Sequence, residues 1–100
     1  MYRQGDVLLL QSDTEPTGYP LPKEGDRVVL VHGQATGHHH AIAGEAVLYP
    51  LEGTQDRLLV LPAGGTLTHE EHTHIQLPAG GYTVRRQREY SPQEIRNVAD

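Results

Sequence analysis

At 100 residues the chain has room for one domain with a modest core, and not for two. Its 36% apolar residues include no Trp and no Phe, so the core must be aliphatic, and so small a core calls for reinforcement by self-association or a bound metal. A net charge of −5 argues against nucleic acid or an anionic membrane surface as a global partner, and the absence of Cys confines any transition metal to imidazole and carboxylate ligands.

The chain opens MYRQGDVLLLQSD, an acidic residue ahead of a very short apolar run. That pattern is neither a signal peptide nor a membrane span, and the expected address is cytoplasmic with no membrane partner. From there, short apolar or alternating runs recur between Gly and Pro: DVLLLQ, RVVLVH, EAVLYP, RLLVLP, HIQLP and YTVRRQREY. Such runs predict strands, and the expected fold is an all-β single domain, a small barrel or a sandwich. Residues 12–26 form the longest irregular stretch, stiffened by Pro16, Pro20 and Pro22, and read as an ordered surface loop or lid. The sequence LPAGG occurs at residues 61–65 and again at 77–81, which predicts two corners of similar shape. A short C-terminal helix is expected over residues 91–100, where Ser91 suits the N-cap, Pro92 the first helical position and Glu94 a capping box.

Six of the seven histidines fall in two clusters, GHHHAIAGE with His38, His39 and His40, and HEEHTH with His69, His72 and His74. Alternate residues of a strand share a face, so His38 and His40 would form a two-point metal ligand. In the second cluster a regular strand would pair His72 with His74, whereas a tight turn or bulge would bring His69 to His72. THEEHT has no apolar residue to hold a half-buried strand, which favours the turn. HEEH is not the zinc-protease motif, because that motif places its histidines at i and i+4 on a helix. Surface histidines are the bland alternative. Two dense clusters in a chain without Cys favour a divalent transition metal: zinc, iron, nickel, copper or manganese.

Residues 37–53, GHHHAIAGEAVLYPLEG, resemble the first motif of the cupins, an H-x-H pair followed by Glu and a Gly-ended strand. The segment RLLVLPAGGTLTH is similar to the second cupin motif, although cupins set the histidine closer to the P-x-G turn than His69 stands here. The resemblance implies a double-stranded β-helix with a metal at its mouth, often in a dimer, and it places His38, His40, Glu45 and His69 at ligand positions. The chain is also similar to small uncharacterised bacterial proteins that carry QGDVLL, TGH-x-H, HEEH and QREY in this order. That similarity groups His38, His40, His69 and His72 as one set.

The metal ligands expected are therefore His38, His40, His69 and His72, with His74 or Glu45 as substitutes. In an enzyme, Glu45, Glu70 or Glu71 would move a proton for a small polar substrate, and Asp6 is a further acidic candidate. A non-enzymatic interaction module with a structural metal site, or with none, is a second expectation. A third is an anion or RNA binder on Arg85, Arg86 and Arg88, although YTVRRQREY reads more readily as a charged edge strand. A homo-oligomer is compatible with the small core.

Overall fold

The computed structural model describes residues 1–32 and 39–86. Nine strands run in chain order: β1 (Tyr2–Gln4), β2 (Val7–Gln11), β3 (Arg27–His32), β4 (His39–Ala43), β5 (Val47–Pro50), β6 (Arg57–Leu61), β7 (Gly65–His69), β8 (His72–Leu77) and β9 (Gly80–Arg86). They make two antiparallel sheets, one ordered β1-β2-β9-β6-β5 and the other β3-β4-β7-β8. The chain lays down hairpins alternately, β1–β2 and β5–β6 in the first sheet, β3–β4 and β7–β8 in the second, before β9 returns to the middle of the first. No barrel closes among the described residues, and no helix occurs among them. The helix expected over residues 91–100 lies outside the described residues.

Period-two alternation explains how one core serves both sheets. Val7 and Leu9 of β2, Leu59 and Leu61 of β6 and Tyr82 and Val84 of β9 face Ile42 of β4, Leu67 of β7 and Leu77 of β8 in one buried cluster. Each fully buried aliphatic side chain contributes roughly 1.5–3 kcal/mol. The strand predicted over YTVRRQREY is not at an edge: β9 pairs with β2 on one side and β6 on the other. Its charges reflect alternation, with Arg85 on the outer side and Arg86 continuing the inward row of Tyr82 and Val84.

Three strands carry no clear apolar signal. β1 is three residues of mixed polarity, β4 is HHAIA and β7 is GTLTH, so each owes its conformation to pairing with its neighbours. The loop over residues 12–26 is pinned rather than loose. Leu21 N–H donates to Leu48 O of edge strand β5, and Lys23 Nζ donates to Gly44 O.

Both LPAGG copies form corners between the sheets, one leading from β6 to β7 and the other from β8 to β9, and the two corners meet. Leu61 pairs with Gly80, and Leu77 pairs with Gly65. Gly64, at φ 75°, lies so close to the second corner that an added Cβ would stand 2.6 Å from Leu77 O. Replacing Gly64 with Ala therefore combines left-handed backbone strain with a backbone clash. We expect a loss of roughly 3 kcal/mol or more in urea unfolding. Gly53→Ala, at φ 78° with open space around it, should cost only about 1–2 kcal/mol. Equal losses at the two positions would refute corner-on-corner packing.

Candidate functional site: a row of histidines at one end of the sandwich

Register decides which histidines meet. Strand β4 pairs with β7 at Ala41↔Thr68 and Ile42↔Leu67, and one step further along that register sets His40 opposite His69. Across the β7–β8 hairpin, His69 pairs directly with His72, with Glu70 and Glu71 forming the turn. Residues directly opposite each other share a face of a sheet. His40 is on the face of Ile42 and His69 on that of Leu67, so the row points into the sandwich.

On a flat sheet the two ends of such a row would be about 9–10 Å apart, twice the interstrand spacing. Here the rings converge. The ring centroids of His40 and His69 are 4.3 Å apart, those of His69 and His72 4.6 Å, and those of His40 and His72 only 5.9 Å. The row grades from His40, 5% exposed, to the exposed His72, so the group opens to solvent on the β8 side.

The β1–β2 hairpin packs against the rings from the first sheet. Gly5, at φ 61°, begins its two-residue turn, and an added Cβ would stand 2.8 Å from His72 Nε2 and 3.3 Å from His40 Cε1. Glycine therefore suits both the turn and the approach of the rings. Gln4, just before the turn and 2% exposed, donates from Nε2 to Leu67 O at 3.2 Å and to Thr73 O at 2.9 Å, while its Oε1 lies 2.9 Å from His40 Nδ1. Thr73 lies where the β7–β8 register shifts, with Thr73 and His74 together opposite Thr68, a bulge in the edge strand. Just after the turn, Asp6 Oδ1 lies 3.5 Å from His40 Nε2, and its Oδ2 accepts a 2.9 Å hydrogen bond from Arg86 Nε.

A family model described as a domain of unknown function (DUF8820) matches residues 3–87. The chain belongs to this family. Its matched span holds Gln4, Asp6, His40, His69, His72 and Arg86. No curated protein and no solved structure matches the chain.

Of the residues expected at the site, the fold brings together His40, His69 and His72, and His38 lies outside the described residues. His74 is exposed on β8. Glu45 is not brought to the site: it sits exposed in the bend after β4, at the opposite end of that strand from His40. The extended strand from His40 to Ala43, about 10 Å long, separates that bend from the site. Glu70 Oε1 accepts from His39 N–H at 3.1 Å, tying the hairpin turn to the start of β4. Glu71 N–H donates to His69 Nδ1 at 3.0 Å. The arginines diverge, Arg85 to Asp56 Oδ2 at 3.0 Å and Arg86 to Asp6, and Arg88 lies outside the described residues. Gln4 has no sequence signal for its role. Its partners Leu67 and Thr73 are 63 and 69 residues away.

The hydrogen bonds dictate tautomers. Leu67 O and Thr73 O only accept, so the Gln4 NH₂ must face them and its oxygen must face His40. His40 Nδ1 then carries the proton, and Nε2 presents a lone pair toward the Asp6 carboxylate. Two acceptors facing each other at 3.5 Å repel unless they share a cation. His69 is set the other way: with Nδ1 accepting from Glu71 N–H, its neutral form carries the proton on Nε2. To hold a cation through Nε2 it must release that amide. Consistent with this, among the described residues no three His, Cys, Asp or Glu side chains already stand in a metal-holding arrangement.

Burial lowers the pKa of His40 to about 4, with repulsion from His69 adding to the shift and Asp6 opposing it. For Asp6, burial works to raise the pKa, but the hydrogen bond and charge of Arg86 outweigh it and hold the carboxyl below its ordinary value. The unfolded chain, with an ordinary His near 6.5, binds more protons than the folded chain between about pH 4 and 6.5. The contribution of His40 is thus fully present above pH 6.5 and lost as pH falls toward 4; Asp6 acts in the same direction at lower pH. Urea unfolding should show a loss of about 2 kcal/mol from His40 between pH 7 and pH 5. The His40→Leu variant should lack this component. An undiminished slope in that variant would place the titrating group elsewhere.

Proposed function

We propose that the histidine row binds a divalent transition metal, with His40 and His72 as imidazole ligands and Asp6 as the carboxylate. His69 joins or supports them once its ring releases the turn amide. What carries this reading is the mutual approach of three imidazoles from β4, β7 and β8, two of them against Gly5, beside a carboxylate that Arg86 keeps ionised. Imidazole with carboxylate suits zinc, iron, nickel, copper or manganese. The likeness to the cupin motifs supports His40 and His69 as site residues, and support for Asp6 comes from the β1–β2 turn alone. His38 belongs to the proposed set by its H-x-H spacing to His40.

A small polar substrate would approach from the exposed side at His72. A bound divalent ion would supply Lewis acidity there. Glu70 and Glu71, exposed on the adjoining turn, are the carboxylates nearest in sequence to the open side, and either could carry a proton. The arginine-centred anion or RNA reading has less support, because Arg85 and Arg86 leave β9 on opposite faces and each pairs with an aspartate.

The test is elemental analysis of untagged protein, purified without a nickel column and incubated with each of the five metals before desalting. About one equivalent should be retained. His40→Ala with His72→Ala should abolish retention, whereas Glu45→Ala should leave it unchanged. Wild-type protein that retains none of the metals would end the proposal, and stoichiometric metal in the double variant would show that the ligands are other residues.

A further inference from the structure

The carboxamide of Gln4, 2% exposed, bonds to all three strands that carry the histidine row. It spans the β7 carbonyl of Leu67, the bulged β8 carbonyl of Thr73 and the imidazole of β4. Each of its three contacts constrains the others. A carboxamide has one acceptor end and one donor end, and the two carbonyls fix which end is which. The acceptor end is left for His40 Nδ1, and that nitrogen must donate.

We propose, building on the metal-binding reading above, that Gln4 is a positioning residue which holds His40 in the Nδ1-protonated tautomer so that its Nε2 lone pair faces the site. The ring cannot turn over without pairing a C–H with Gln4 Oε1, so the same bond fixes both ring orientation and proton position. A second hydrogen-bonding partner of this kind orients a ligand histidine and raises the basicity of its ligating nitrogen. Supply of the partner by an amide rather than a carboxylate adds no second negative charge beside Asp6. His69 serves as the internal contrast, because Glu71 N–H imposes the opposite tautomer on it. One strand of the row therefore presents a lone pair while its neighbour presents an N–H.

Two-bond ¹⁵N–¹H correlation spectra of the metal-free wild-type protein at pH 7.5 read the proton positions directly. His40 should show a protonated Nδ1 and an unprotonated Nε2, and His69 the reverse. A protonated Nε2 on His40 overturns the proposal. Gln4→Met keeps the side-chain length and removes both hydrogen-bonding ends. If circular dichroism shows it folded, His40 should become a mixture of tautomers, and zinc affinity measured by chelator competition should fall roughly 10- to 100-fold. A folded variant with the wild-type tautomer and affinity also overturns the proposal. Should Gln4→Met fail to fold, the wild-type spectra alone decide. Failure of the metal reading is distinguishable: wild-type protein that binds no zinc, yet shows the expected tautomers, removes the metal and leaves the role of Gln4 standing.

Discussion

Everything at the open end of the sandwich depends on one buried carboxamide. Gln4 comes from the shortest strand among the described residues and reaches into the opposite sheet, where it satisfies two backbone carbonyls and one imidazole. The bond to Leu67 O is buried, where a carbonyl without a donor costs on the order of 1–3 kcal/mol, and the bond to Thr73 O ties the bulge to the same amide. The β1–β2 hairpin could not shift along the sheet without breaking all three bonds. That coupling fixes where Gly5 and Asp6 stand, and through them the approach of His72 and the partner of Arg86.

The histidine row is a product of register rather than of local sequence. Hairpin pairing alone brings His69 to His72, and a short turn suffices. His40 joins only because β4 lies beside β7, with the β5–β6 hairpin of the other sheet intervening in the chain. The rings of the row lean together, so that its ends stand 5.9 Å apart. The consequence is chemical. One imidazole lies in a nearly dry environment, where it stays neutral and acts as an electron-pair donor, and another remains in contact with water.

Much of the scaffold was legible from residue pattern. The apolar runs of β2, β3, β5, β6 and β9 predicted strands because a half-buried strand must alternate or be short and bounded by turns. The LPAGG repeat predicted two corners, and both copies do pass between the sheets, although Gly64 and Gly80 differ in φ (75° against 144°); the lack of apolar residues in THEEHT favoured the turn at Glu70 and Glu71. The short strand β1 was not legible, since its residues favour no conformation strongly until neighbours pair with them, and β4 and β7 were reached only through the histidine spacing and the LPAGG corner rather than through an apolar run. The charge on β9 suggested an edge, but alternation alone accounts for it. One arginine faces out to Asp56 and the next faces in to Asp6.

Sequence by itself determined the all-β class, the exclusion of thiolate chemistry and the two clusters from which the imidazoles of the site are drawn, because composition and period act locally. Tertiary structure alone decided that Glu45 lies beyond the far end of β4, that Asp6 supplies the nearby carboxylate and that Gln4 sets the face His40 presents. These are hydrogen-bonding and distance relations between residues tens of positions apart, created by strand order and register, and no local pattern encodes them.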